Sequence, residues 1–342
     1  MRTRPARLRR TAATLAAVSI GLALTGCWAG DGEKETASSE ETITFTADNG
    51  KVEIPAEPER VVATGYAVPV LLEADAPLVG ISAWGRGTAL MTEEDLATYE
   101  ATDKIMGETA DSINYDAVAE ADPDVIILGV PLPVLGDVNM ERLEQVAPVV
   151  VLGPAVPDSW KELGSRQAEA AGVLGNYEEQ KKAYYAKADE LKAKWADTLE
   201  GTQFGAVGAY GDISAGSFHR EFAGSWGTNI PTDIGVTYYG EVKDPSEGGS
   251  ATVTEYPSIE ELPKSLGEAT HITYAVEDDG TPSEAVQYVL DSPLWKNLPA
   301  VKKGHAIALR HTEAATYTSA IKTLEALDAA LTETLGEPKA QG

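Results

Sequence analysis

Short, unbroken apolar runs alternate with helical stretches along most of this 342-residue sequence, and that alternation constrains the fold more than any other feature. Val61-Val62-Ala63 leads into an apolar segment that reaches Leu72, followed by Leu78-Val79-Gly80-Ile81. Val125-Ile126-Ile127-Leu128 follows a helix-like stretch at residues 115–121, and Val149-Val150-Val151-Leu152 follows another at 140–146. A strand that is apolar at every position is buried on both faces, so the pattern predicts an α/β fold, with sheets covered by helices on both sides. It halts near residue 175. Residues 176–199 contain neither Gly nor Pro, and Tyr184, Ala188, Leu191, Trp195 and Leu199 recur at spacings of 4, 3, 4 and 4. That is one apolar stripe on a helix about 36 Å long at about 1.5 Å per residue. The alternation then resumes with Gly205-Ala206-Val207-Gly208, a helix-like stretch at 259–266, His271-Ile272-Thr273-Tyr274, Ala306-Ile307-Ala308-Leu309 and a final helix at 313–335. Two α/β lobes, residues 46–175 and 201–342, are expected on either side of a linker helix at 176–200.

The first ten residues carry Arg2, Arg4, Arg7, Arg9 and Arg10, followed by an apolar run at 11–24 and then Thr25-Gly26-Cys27. A positive segment, an apolar run and small residues before a cut make an export signal at residues 1–26. The run is shorter than the roughly 20 residues a spanning helix needs. Leu24-Thr25-Gly26-Cys27 resembles the bacterial lipobox, which implies that Cys27 becomes the lipidated first residue of the mature chain. Cys27 is the chain's only cysteine, so no intramolecular disulfide is available. The pair Arg9-Arg10 raises twin-arginine export, but Thr11-Ala12-Ala13 lacks the expected apolar partners. Small, polar and acidic residues then predict a flexible tether over residues 27–45.

Charge excludes one class of partner. With 54 acidic and 27 basic residues the net charge is −27, and removing the five signal arginines leaves 22 basic against 54 acidic residues, or −32. Binding nucleic acid by neutralising phosphates is incompatible with that balance.

Several segments in order carry a resemblance: the lipobox, the tether, Pro58-Glu59-Arg60-Val61-Val62-Ala63, Asp122-Pro123-Asp124-Val125-Ile126-Ile127, the mid-chain helix, and Pro293-Leu294-Trp295-Lys296-Asn297-Leu298-Pro299-Ala300-Val301-Lys302-Lys303-Gly304. Together they resemble the iron-siderophore and cobalamin class of ABC-transporter substrate-binding lipoproteins, its hydroxamate-binding members in particular. The resemblance implies two Rossmann-like lobes joined by one long rigid linker helix, with a ligand cleft between them. It further implies a binding protein without enzymatic activity, a monomer anchored by lipid to the extracytoplasmic face of a Gram-positive type of cell membrane, and delivery of its ligand to a permease dimer. By the same comparison, Asp116 in Asn114-Tyr115-Asp116 and Glu260 in Ser258-Ile259-Glu260-Glu261 match the acids that pair with permease arginines; the first departs from the usual glutamate and has a shorter reach.

Ferric iron inside a hexadentate siderophore has no open coordination position, so such a protein needs no metal ligands or cofactor of its own. It must grip an oxygen-studded organic shell, a task for aromatic walls and fixed donors. In α/β sheets those groups sit at the carboxyl ends of strands. There the first lobe places Tyr66, Trp84 and Arg86, and the second Tyr210, Phe218, Arg220, Trp226 and Arg310, with His311 alongside. Phe222, Trp195 and Trp295 are expected to pack. A −32 chain opposes long-range approach of a trianionic iron tris-catecholate, whereas a neutral or cationic hydroxamate such as ferrioxamine meets no such penalty.

Three alternatives stay open. Cobalamin or haem would suit the same fold, haem with an axial Tyr or His. A zinc or manganese carrier would need converging histidines, of which the chain has only His219, His271, His305 and His311. A secreted hydrolase would need a Gly-x-Ser-x-Gly elbow, but Ala223-Gly224-Ser225-Trp226-Gly227 has Ala at the first position.

Overall fold

The structure is a computed structural model and describes residues 41–338. The predicted signal, Cys27 and most of the predicted tether lie outside the described residues. The tether ends earlier than residue 45, because β1 (Thr42–Ala47) already pairs antiparallel with β2 (Gly50–Pro55). Phe45, Ala47 and Ile54 turn their side chains inward from this hairpin. Its turn is fastened to the lobe by Asn49, whose side chain donates to the Val149 carbonyl (2.9 Å) and accepts from the Val151 amide (3.1 Å).

The first lobe is built on a five-stranded, wholly parallel sheet in the order β5-β4-β3-β6-β7. Its strands are β3 (Val61–Gly65), β4 (Leu78–Ser82), β5 (Lys104–Met106), β6 (Val125–Gly129) and β7 (Val149–Val151). β6 and β7 are buried at every residue, as continuous apolar runs require. The second lobe repeats the plan in the order β10-β9-β8-β11-β12, with β8 (Phe204–Val207), β11 (His271–Ala275) and β12 (Ala306–Leu309) parallel. Here β9 (Arg220–Glu221) runs antiparallel to both β8 and β10 (Thr254–Glu255).

The linker helix spans Leu174–Leu199 and buries the predicted stripe of Tyr184, Ala188, Leu191, Trp195 and Leu199, with Tyr177 added two turns earlier. Trp195 donates its indole N–H to Asp328 of the terminal helix Tyr317–Leu335 (2.7 Å), and Lys194 pairs with the same carboxylate (2.7 Å). The terminal helix starts at Tyr317, four residues later than its pattern suggested. Thr316 holds an extended conformation and caps it reciprocally with Ser319, which stops the helix from reaching Glu313. One continuous apolar core runs from Val61 and Ile127 of the first sheet through the linker to Phe204, Ile307 and Leu331, so both lobes are packed on shared side chains.

Candidate ligand cleft

Each lobe changes winding direction at its first strand, β3 in one and β8 in the other, and such switch points open a crevice at the strands' carboxyl ends. At the first, Gly65 lies at φ +55°, and a Cβ there would stand 2.4 Å from the Gly129 carbonyl oxygen. Only glycine lets β3 turn this tightly beside β6. The turn delivers Tyr66, whose amide donates to the Gly129 carbonyl (2.8 Å).

Trp84 follows β4 and opens a short 3-10 turn, Gly85–Leu90. Its amide donates to the Tyr99 hydroxyl (2.8 Å), and that of Gly85 donates to the Glu108 carboxylate (3.1 Å). The indole packs edge-on against Tyr66, with ring centroids 5.0 Å apart at 68°. Arg86 lies over both rings, 4.3 Å from Trp84 and 4.8 Å from Tyr66, and makes no ion pair among the described residues. Gly87 makes room, since a Cβ there would come within 2.2 Å of the Trp84 indole nitrogen.

From the opposite lobe comes Trp226, stacked parallel to Tyr66 at 6.1 Å and 8°. It is the first residue of the helix Trp226–Asp233, not the loop residue that its glycine neighbours suggested. The buried Glu221 carboxylate fixes that helix start by accepting from the Ser225 hydroxyl (2.7 Å) and the Gly227 amide (3.1 Å). Beyond β8, Tyr210 is 47% exposed and donates its hydroxyl to Glu313. Burial, and the Glu313 carboxylate as acceptor, push the Tyr210 hydroxyl far above the usual phenol range, so it stays a neutral donor.

Tyr66, Trp84, Arg86, Tyr210, Trp226 and Glu313 converge from both lobes on one narrow neck. On one side, Tyr66 and Trp226 continue into a space of about 720 Å³ walled by Pro131, Leu132, Pro154 and Val156, with Ser159, Glu162, Ser250 and the Arg166–Asp48 ion pair as polar groups. On the other, Arg86, Tyr210 and Glu313 border a space of about 400 Å³ that also meets Glu277, Asp278 and His311. Each space falls in the size range of a small-molecule site, the larger mainly apolar in its walls and the smaller bordered by three carboxylates. Among the described residues no group of three or more His, Cys, Asp and Glu is placed to hold a metal ion.

Five expected site residues thus line the neck: Tyr66, Trp84, Arg86, Tyr210 and Trp226. Three others do not. Phe218 is wholly buried in the second lobe's core with Val207, Leu262 and Ile272, so the expectation that it faces ligand is corrected. Arg220 is corrected likewise, being 1% exposed. Its guanidinium is packed 4.4 Å from the Phe222 ring and 5.2 Å from Tyr239, and it donates to the Tyr239 carbonyl (2.9 Å). Arg310 is exposed and lies over the Gly280 turn, outside the residues that border the neck and its two flanking spaces. Phe222, Trp195 and Trp295 are buried.

Asp116 and Glu260 are both exposed near the start of helical turns. Asp116 is paired with Arg142 of its own lobe (3.0 Å). Glu313 and the Pro131-Leu132-Pro133 wall were not anticipated. The first had no signal among 54 acids; the second could have been found from an apolar residue locked between prolines immediately after a strand.

No protein-family model matches the sequence. Among curated proteins it is 26% identical over 281 residues to the iron(3+)-hydroxamate-binding protein YxeB of Bacillus subtilis, covering 80% of each chain. It is 26% identical over 314 residues to FhuD of the same organism, an iron(3+)-hydroxamate-binding protein, covering 87% of this chain and 89% of that one. Among solved structures, the siderophore periplasmic binding protein from the fuscachelin gene cluster of Thermobifida fusca superposes with a TM-score of 0.63. It is 27% identical, and the match covers 82% of this chain and 98% of that one.

Proposed function

We propose, for a chain that belongs with the siderophore-binding proteins of ABC importers, that it captures a ferric hydroxamate siderophore of the ferrioxamine type in the cleft between its lobes and delivers it to a permease for iron uptake. The observation that carries this reading is the convergence of Tyr66, Trp84 and Trp226 from two lobes beneath Arg86, which has no ion-pair partner among the described residues. Aromatic faces cover the apolar flanks of an iron chelate, and a guanidinium donates to its ring of oxygens without needing to reach the metal. Hydroxamate is favoured over catecholate by charge. Glu277, Asp278 and Glu313 border the smaller space, in a chain whose net charge is already −27. A trianion would meet those carboxylates at close range, whereas a neutral or cationic complex would not. The names of the two Bacillus relatives agree with this choice. Lipidation at Cys27, attachment to the outer face of the membrane and docking through Asp116 and Glu260 complete the proposal.

The test is a fluorescence titration of protein starting at residue 28 with iron-loaded ferrioxamine B, an iron tris-catecholate, haem and cobalamin. Ferrioxamine is expected to quench tryptophan emission and saturate at micromolar concentration or below, with the other three weaker by at least tenfold. Absence of quenching by ferrioxamine, or an equal response to haem or cobalamin, would sink the reading.

A further inference from the structure

The 3-10 turn Gly85–Leu90 carries Trp84 and Arg86 over the cleft; its own lobe holds its first end through Tyr99 and Glu108, while Leu90 and Met91 at its far end are buried and lead into Thr92, the cap of the helix Glu93–Ala101. Its far end leaves the Leu90 and Met91 carbonyls without helical partners, since a helical turn always ends in unsatisfied C=O groups. Both are taken by one side chain from the terminal helix, which packs on the linker and on β12: Lys322 Nζ lies 2.8 Å from the Leu90 oxygen and 3.0 Å from that of Met91. Lys322 is half-buried and has no carboxylate within 4.0 Å among the described residues. A cation on the C-terminal carbonyls of a turn is favoured by both hydrogen bonding and the local dipole.

We propose that Lys322 is a positioning residue of the ligand cleft: from the second lobe it clamps the end of the first lobe's Trp84–Arg86 turn. The turn then adopts its ligand-facing shape only while the two lobes keep their present spacing. Thr316, at the start of the same helix, reinforces this tie by donating to Glu73 of the first lobe (2.7 Å). The terminal helix, which begins four residues after Glu313 on one wall of the cleft, therefore reaches the turn that carries Arg86 on the other. The effect on affinity rests on the proposed function; the effect on the turn does not.

The experiment uses Lys322→Met, which keeps the length and removes the donors, and Lys322→Arg, which keeps the donors. Arg86 is exposed and is the only Lys or Arg between Arg60 and Lys104, so tryptic cleavage there reports opening of the turn without any ligand. Lys322→Met is expected to speed cleavage after Arg86 about tenfold, with other sites and the melting temperature little changed, and Lys322→Arg is expected to restore protection. In stopped flow, ferrioxamine B should dissociate about tenfold faster from Lys322→Met, with a smaller change in its association rate. Unchanged cleavage at Arg86, or acceleration spread equally over all sites, overturns the clamp. If wild-type protein binds no ferrioxamine, the functional reading fails while the cleavage result still decides the clamp.

Discussion

Replacing Glu73 by Gln should remove a pH dependence that the fold itself imposes. Glu73 ends the first lobe's helix Ala67–Glu73 and accepts from Thr316 across the lobes. Although the residue as a whole is only half-buried, its Oε2 is sealed from solvent. Burial, opposed by hydrogen bonds from Thr316 and Thr318 and aided by Asp95, raises its pKa from 4.5 to about 8. The folded state therefore binds this proton more tightly than the unfolded chain. The stabilisation is complete below about pH 4.5, declines as the pH rises, and is lost once the pH passes about 8. At about 1.36 kcal/mol per pH unit, the interval is worth about 4–5 kcal/mol. Gln mimics the protonated acid and keeps an acceptor for Thr316. Urea unfolding of both proteins at pH 5, 6, 7 and 8 isolates Glu73, because all other groups titrate alike in the pair. The variant should gain on wild type by about 4 kcal/mol between pH 5 and pH 8. A difference that stays constant within about 1 kcal/mol over that range, on the same scale, would refute the assignment of a neutral, buried Glu73.

Other expectations follow from the packing. Phe218→Ala should lower the urea unfolding free energy by about 3–5 kcal/mol, as for other large core truncations, and leave ferrioxamine affinity of the folded protein unchanged. Lost affinity without lost stability would return Phe218 to the cleft. Lys161 of the first lobe pairs with Asp233 of the second, which also accepts from Tyr184 of the linker. Lys161→Met should therefore cost about 1–3 kcal/mol in the same assay by stranding a half-buried carboxylate, and a neutral result would mean that solvent already satisfies it. In cells, Cys27→Ser should move the protein from the membrane to the culture medium by fractionation, and continued membrane retention would argue against the lipid anchor.

Much of the fold is visible in the residues because parallel strands buried on both faces leave unmistakable apolar runs, as in Val125-Ile126-Ile127-Leu128. The linker was equally plain, since one stripe on a charged helix has a single way to pack. β9 and β10 were invisible. Each has two residues, and Arg220-Glu221 pairs because its neighbours in space allow it, not because of any intrinsic strand preference. In the cleft, Tyr66 and Trp84 could be found from aromatics placed where parallel strands end, and Trp226 from an aromatic flanked by glycines. Phe218 and Arg220 misled because their glycine-rich surroundings suggested an open loop, whereas the chain there folds back across β8. An arginine sandwiched between Phe222 and Tyr239 looks in sequence like one held out to a ligand. Glu313 could not be singled out because nothing local distinguishes it among so many acids.

The central claim, that the aromatic neck between the lobes holds the ferric siderophore, is tested most directly by calorimetric titration of ferrioxamine B into wild type, Trp84→Ala and Trp226→Ala. One site per chain is expected in wild type, with each substitution weakening binding by about 1–3 kcal/mol, the range of an interface anchor. Wild-type affinity in both variants, with unfolding midpoints unchanged, would place the ligand elsewhere and contradict the account.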